Sequence, residues 1–188
     1  MSKKISPDLQ EAIFAMPEKE KDKLLLRLIA KDAMLIKKLH HQLLEDESDT
    51  LERREELLEH LKITFRGSSN YFYTPGLLMM SMRDWNGEIS RFVKIHKDKL
   101  GEIILTTFLV NEAFAGQKKM LQEKAHRAEK FAEYACKKAD FVMKKLEKVH
   151  EDYYLELRDD VNTMLAAIHA YAPCKPYIQE LNLPKSIE

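Results

Sequence analysis

The chain has 188 residues, 45% of them hydrophobic and 33% charged, and its 31 basic and 31 acidic residues give a formal net charge of zero. The length suffices for one domain with its own core, and the charge balance excludes a global attraction to nucleic acid or an anionic membrane. The N-terminus lacks the apolar core of a signal peptide, and no apolar run reaches the roughly 20 residues of a membrane span, so we expect a soluble, cytoplasmic protein.

Helix-start and helix-stop signals divide the first 67 residues. Pro7 and Pro17 each predict a helix start, because proline in the first turn lacks only an amide hydrogen that would be unpaired. Asp32 predicts a cap or a kink before the next apolar run. A further helix is predicted from residues 48–50 to Gly67, the residue type favoured at a helix end.

The segment 68–76 is the clearest loop, because small polar residues and a Pro-Gly pair punctuate it. After it, apolar residues 77–82 predict a short buried helix, which we expect to break at Asn86-Gly87. Asp98 predicts the cap of the following helix. The β-branched segment 103–110 is compatible with a buried strand, but a lone strand would leave its backbone groups unpaired, so we favour a central helix.

Residues 117–172 contain no glycine and no proline and carry an apolar or small residue every three or four positions, which predicts helix with coiled-coil-like spacing. As one helix this segment would span about 80 Å, and we expect it then to protrude and form a homodimer. A break at residues 150–152 would instead make a helical hairpin. The stripe comprises Leu121, Ala125, Ala128, Ala132, Ala135, Ala139, Val142, Leu146, Val149 and Tyr153.

The prolines after Ala172 predict a tail that lies extended over the body and forms no regular helix. We therefore predict an all-α protein of packed antiparallel helices, arranged as an irregular bundle or in HEAT-like layers. Its predicted parts are a multi-helix domain at 1–116, a long helix or hairpin at 117–172 and an extended tail at 173–188. Cys136 and Cys174, far apart in sequence, are expected to be reduced thiols.

Two segments, 16–32 and 73–89, carry a family resemblance. The first begins Met-Pro-Glu-Lys-Glu-Lys and the second Tyr-Thr-Pro-Gly-Leu. In these stretches the chain resembles a family of bacterial all-helical proteins of unknown function. The resemblance covers about the first two thirds of the chain and implies a helical fold, but it implies no catalytic residues.

Histidine motifs offer candidate metal ligands. Glu123-x-x-His126 and Glu147-x-x-His150 have the form used twice in four-helix di-iron proteins. Charged neighbours and the absence of room for an intervening helix favour solvated helix faces instead. At 40–45, two adjacent histidines precede Glu45, but neighbouring helical residues point about 100° apart, so we expect the two imidazoles not to share one site. We predict no metal ion and no cofactor.

Glu55, Glu56 and Glu59 resemble half of the motif of MazG-type all-α nucleotide pyrophosphohydrolases, where clustered carboxylates hold magnesium against a triphosphate. The complementary Glu156-x-x-Asp159 lies nearly a hundred residues downstream. This motif supports an alternative function, a magnesium-dependent nucleoside triphosphate pyrophosphohydrolase. Because leucines of the same helix already form an apolar stripe, we favour a structural role for the three glutamates.

Charge and aromatic residues suggest where a partner could bind. Residues 45–59 hold eight acidic side chains and residues 117–148 ten basic ones, so the stretches could pair with each other or meet a partner, although solvated faces are the simpler interpretation. The aromatic residues Tyr71, Phe72, Tyr73 and Trp85, in and after the predicted loop, are expected first to fill the core between two helical layers. They are also the candidate binding groove, because loops beside rigid helices often carry function. We expect a non-enzymatic interaction or scaffold protein with a protein partner or a second copy, no membrane and no nucleic acid.

Overall fold

The computed structural model describes residues 5–68, 72–150 and 152–188 of the chain. It is 83% helical, and no strand occurs among the described residues, which confirms the predicted all-α class. The chain separates into two compact units, Met1–Asp46 and Glu47–Glu188, called here the N-terminal unit and the C-terminal unit. Gly116, the predicted domain boundary, lies inside the C-terminal unit at the end of a helix.

The N-terminal unit consists of α1 (Pro7–Phe14), α2 (Glu18–Ile29) and α3 (Ala33–Leu44). Asp32 is the N-cap of α3, as predicted: its Oδ1 accepts hydrogen bonds from the amides of Met34 and Leu35 at 2.9 and 3.0 Å. Helices α2 and α3 contact each other. No side chain among residues 5–46 is fully buried, so the described part of this unit has apolar residues but no closed core.

The C-terminal unit contains the buried core of the described chain. Its central helix is α6, which contacts α4, α5, α7, α8 and α9. Short 3-10 turns, Ala125–Arg127 and Ala172–Cys174, connect some of these helices. The helices are α4 (Glu47–Ser68), α5 (Pro75–His96), α6 (Lys99–Gly116), α7 (Lys118–Glu123), α8 (Glu129–Leu146), α9 (Asp152–Ala170) and α10 (Lys175–Leu181).

The segment 103–110 is helical, which confirms the prediction of a central helix instead of a strand. Its β-branched, apolar composition follows from its central position. Ile103, Leu105, Leu109 and Val110 are at most 1% exposed. A helix with neighbours on most sides needs apolar residues nearly all round. Asp98 caps this helix as predicted, since its Oδ1 accepts a hydrogen bond from the Gly101 amide at 2.7 Å.

The break predicted at Asn86-Gly87 is wrong, because α5 runs without interruption from Pro75 to His96. Trp85, Ile89 and Phe92 lie on its buried face. Glycine inside a helix costs about 1 kcal/mol relative to alanine, whereas each large apolar side chain contributes about 1.5–3 kcal/mol on full burial. Burial on both sides of the glycine therefore outweighs its low helix propensity.

The single long helix over 117–172 is also wrong, and the hairpin alternative is closer to the structure. Helix α8 ends at Leu146, α9 begins at Asp152, and the two helices contact each other. Most of the predicted stripe packs inside the C-terminal unit, whereas the homodimer through 117–172 stays a prediction. Its fully buried members are Leu121, Ala128, Ala132, Ala135, Ala139, Val142 and Leu146, whereas Tyr153 is 40% exposed.

The prediction that the tail is extended is wrong for residues 175–181, which form α10. The prolines do not prevent this helix, because Pro173 and Pro176 stand in the first turns of the 3-10 turn and of α10, where a missing amide hydrogen costs nothing. After α10 the chain does lie extended along α9. There the Asn162 side chain accepts a hydrogen bond from the Ile187 amide at 2.8 Å and donates one to its carbonyl at 3.1 Å.

The two cysteines, far apart in sequence, come together in the core between α8 and the second 3-10 turn. Both are free and buried. The Cys136 thiol lies 3.9 Å from the Cys174 carbonyl oxygen, and the Cys174 thiol lies 4.0 Å from the Ala132 carbonyl oxygen. Contact with the Cys136 thiol, together with burial, raises the pKa of Cys174 far above its ordinary value, so its thiol stays protonated at neutral pH.

Candidate functional site

The predicted aromatic groove is mostly core. The Phe72 and Trp85 rings are 8% and 7% exposed and pack with Phe65, with ring centroids 5.0–6.0 Å apart. Tyr71 lies outside the described residues, and Tyr73 is 63% exposed. An open pocket of about 500 Å³ runs from Phe72 and Tyr73 along α7, where the Lys124 ammonium donates to the Tyr73 carbonyl.

The three glutamates of the hydrolase-like motif lie on α4 and are exposed to solvent. The Glu56 carboxylate pairs with Arg53 at 3.0 Å, and the Glu59 carboxylate pairs with Lys62 at 3.6 Å. The side chains of Glu56 and Glu59 are 56% and 60% exposed, and Glu55 is exposed as well. Glu156 and Asp159 on α9 are also exposed. Such carboxylates resemble a solvated helix face more than a magnesium site.

The two Glu-x-x-His motifs do not keep helical spacing. Glu123 is the last residue of α7, whereas His126 lies in the following 3-10 turn. Glu147 caps the end of α8, and the His150 imidazole lies 3.1 Å from the Asp152 carboxylate beyond it. The i, i+3 geometry that aims a carboxylate and an imidazole at one ion is therefore lost at both motifs.

Glu45 brings the two histidines together, which corrects the expectation that they could not share a site. The Nδ1 atoms of His40 and His41 lie 3.0 and 3.1 Å from the two carboxylate oxygens of Glu45. The expectation assumed that Glu45 continued the helix. Glu45 is instead the extended C-cap of α3, with φ −109° and ψ 154°, so its carboxylate folds back to both imidazoles.

Most lysines of α8 bind partners within the C-terminal unit. Lys144 pairs with Asp140 at 2.6 Å one helical turn away, and Lys145 reaches Glu102 of α6 at 2.7 Å. The Lys138 ammonium donates to the Asn86 side chain at 2.5 Å and faces the rings of Tyr134 and Phe141. Burial lowers the pKa of Lys138. Lys138 thus connects α8 to α5, and Lys145 connects α8 to α6.

A pocket of about 330 Å³ lies between α6, α7 and α9, and sequence reasoning did not find it. Its α9 wall consists of Thr163, Ala167 and Ala170, small residues spaced i, i+4 and i+7 on one helix face. Leu121 and Tyr171 line its inner side. Three small residues at helical spacing on α9 were the available signal, but the facing helix could not be assigned from sequence.

The inner side of this pocket is fixed by aromatic contacts and one buried hydrogen bond. The Tyr171 ring makes edge-on contacts with Phe114 and Phe131, with centroids 5.6 and 6.2 Å apart. The Tyr171 hydroxyl donates to the Leu121 carbonyl at 3.0 Å, and burial raises the pKa of Tyr171 to about 12. The pocket therefore has a rigid apolar wall whose polar atom is already bonded.

The N-terminal unit carries the other conspicuous surface, a set of exposed large apolar side chains named here the apolar face. Single exposed leucines are ordinary, but many of them within 42 described residues are not. No described residue of the unit is buried, so these exposed side chains are not the rim of a core inside the unit. The members are Ile5, Leu9, Phe14, Leu25, Leu26, Leu28, Ile36, Leu43 and Leu44, between 44% and 74% exposed.

Comparison with known proteins does not identify the chain. No family model, no curated protein and no solved structure matches it. Among the described residues, none of the helices combines the length and apolarity that crossing a bilayer requires. The functional assignment consequently depends on the geometry of this molecule alone.

Proposed function

We propose that this is a non-enzymatic interaction protein whose N-terminal unit binds another protein through the apolar face. The observation that carries the proposal is the nine exposed large apolar side chains of that unit, together with the lack of any buried residue among its described positions. An accumulation of exposed large apolar side chains supports an interaction site in a soluble protein. The C-terminal unit, with its own core, serves as the folded support.

Charge adds little to partner choice, whereas apolar burial can supply the binding energy. Residues 5–46 contain eight acidic and seven basic side chains, so the unit presents no strong field of either sign. Leu26, Leu43, Leu44 and Phe14 are each at least 66% exposed. Covering such side chains contributes up to about 1.5–3 kcal/mol each, so four of them supply up to about 6–12 kcal/mol, the same order as an association cost of about 4–15 kcal/mol. The expected partner presents an apolar surface of its own.

The alternative function, a magnesium-dependent hydrolase, has no supporting geometry in the part of the chain that the structure describes. Glu56 and Glu59 pair with basic neighbours on their own helix and face solvent. A magnesium site needs several oxygens within about 2.1 Å of one ion. We therefore propose only the interaction function.

Site-specific photo-crosslinking in living cells that produce the protein tests this proposal. A benzophenone amino acid replaces Leu26 in the apolar face, and the matched control places it at Lys130, an exposed position on α8. We expect a discrete cross-linked protein from position 26 that position 130 does not give. An excess of unmodified chain should compete for it, whereas an excess of the Leu25→Gln, Leu28→Gln variant should compete at least about tenfold less, since roughly 1.4 kcal/mol corresponds to a tenfold change.

Two results would overturn the proposal. One is equal cross-linking from positions 26 and 130, which would mean that the apolar face has no preferred partner. The other is equal competition by the wild-type chain and the double leucine variant. Both leucines are more than half exposed, so their replacement by glutamine should leave the helical circular dichroism spectrum unchanged.

A further inference from the structure

The pocket between α6, α7 and α9 has the size and lining of a small-molecule site, independent of the interaction function. Its volume of about 330 Å³ falls at the lower end of the roughly 300–1,000 Å³ typical of ligand sites. A pocket at this end of the range suits a compact ligand.

Alanines keep the pocket open. Ala115 on α6 faces Ala167 and Ala170 of α9 across it, while Phe114 closes one side. Larger side chains at these alanines would fill the space. The Thr163 hydroxyl and the Asn111 amide already donate to the Asp159 and Asp160 carbonyls, at 2.8 and 3.0 Å. Of the remaining polar groups, Gln122 is exposed and the Asn111 Oδ1 atom is buried without a partner among the described residues, so most of the interior favours apolar atoms of a ligand.

A single charge lines this apolar space. Lys118, the first residue of α7, is the only charged residue among the described lining residues. It is exposed and forms no ion pair within the described part of the chain, whereas its neighbour Lys119 lies 3.9 Å from the Glu123 carboxylate. A free ammonium at the rim of an apolar pocket complements an anionic head group on an apolar body.

We propose that this pocket binds a small amphiphilic carboxylic acid, with its hydrocarbon part between α6 and α9 and its carboxylate beside Lys118. Because the pocket lies at the small end of the range for ligand sites, we expect a short acid, and eight carbons serve as the test length. The probe is octanoate, with 1-octanol and octylammonium as the neutral and cationic counterparts of the same chain length.

Titration of the ¹⁵N-labelled full-length protein by NMR measures binding residue by residue. We expect octanoate to give saturable shifts at Ala115, Ala167 and Ala170, with weaker binding of 1-octanol and the weakest of octylammonium. Lys118→Gln should weaken octanoate binding by about two- to fivefold, the range of an exposed ion pair, and leave 1-octanol unchanged. Lys119→Gln, which removes the neighbouring charge, is the matched control and should have no effect on either.

Filling the pocket tests the location of the hydrocarbon. Ala167→Leu should lower octanoate affinity at least tenfold, and Ala166→Leu, at an exposed neighbouring position that does not line the pocket, should leave it unchanged. Ala170→Leu, at an exposed lining position, repeats the test without disturbing a half-buried site. Retained affinity in both blocking variants, octylammonium binding as tight as octanoate, or shifts confined to other residues would each overturn the proposal.

Discussion

Gly101 tests most sharply how α4 and α6 are joined. The Asp98 carboxylate caps α6 through the Gly101 amide at 2.7 Å, and its other oxygen lies 3.3 Å from the Arg54 guanidinium of α4. A Cβ atom at residue 101 would lie 2.2 Å from Asp98 Oδ2 and 2.8 Å from the Arg54 Cδ atom. Alanine at this position must therefore displace the cap, the ion pair or both.

Two opposing effects set the sign of the change in the free energy of unfolding. Replacing glycine by alanine inside a helix stabilises by about 1 kcal/mol when there is room. Loss of an aspartate N-cap costs about 0.5–2 kcal/mol, and loss of an ion pair between side chains that are 17% and 10% exposed costs about 1 kcal/mol more. We expect Gly101→Ala to destabilise by about 1 kcal/mol, which lowers Tm by about 2–4 °C in a chain of this size.

Urea and thermal unfolding followed by circular dichroism measure this change, with Gly87→Ala as the matched control. The nearest atom to a Cβ at residue 87 is 3.7 Å away, so that variant should gain about 0.5–1 kcal/mol. In an Asp98→Ala background, Gly101→Ala should lose its penalty and give a non-additive double-mutant cycle. Equal stabilisation by Gly101→Ala and Gly87→Ala would show that the Asp98 cap and the Arg54 ion pair are not disturbed by a side chain at residue 101.

Three further expectations follow from burial and exposure. Thr107→Val should raise the free energy of unfolding in urea by about 1 kcal/mol, because the Thr107 hydroxyl is buried without a partner among the described residues. A loss of stability would show that this hydroxyl forms a hydrogen bond in solution. A panel of nucleoside triphosphates with Mg²⁺ or Mn²⁺ should not be hydrolysed above background. Hydrolysis that both Glu56→Gln and Glu59→Gln abolish would favour the alternative hydrolase function. Burial raises the pKa of Tyr134 and Tyr171 to about 12. The stability that the two neutral phenols contribute is therefore complete below about pH 10 and is lost as the pH rises towards 12. An absorbance titration in which both phenols ionise near pH 10 would contradict this.

Local signals in the sequence predicted the helices well. Asp32 and Asp98 cap the helices at which they were expected, because an N-cap depends only on a side-chain oxygen and amides two or three residues later. The helix at 103–110 followed from the need to satisfy backbone groups. The wrong expectations at Gly87 and Pro176 share one cause. Glycine and proline end a helix only when neither burial of the neighbouring side chains nor a first-turn position offsets their low helix propensity.

The candidate sites were less predictable, since they depend on which helices become neighbours. Phe72 and Trp85 look like a groove in sequence but pack against Phe65, a residue of another helix. The pocket combines Lys118 and Tyr171, which lie more than fifty residues apart. The exposure of the apolar face was also hidden, because an amphipathic pattern predicts an apolar side of a helix without saying whether the chain covers it.

Hydrogen exchange tests whether the N-terminal unit is a binding element without a closed core in its described residues. Mass spectrometry of the free protein should show α2 and α3 exchanging much faster than α6 and α8, since local stability follows buried apolar contacts. With the cross-linked partner added, α2 and α3 should gain protection while α8 stays unchanged. Protection of α2 and α3 equal to that of α6 in the free protein, or a gain confined to the C-terminal unit, would contradict the account.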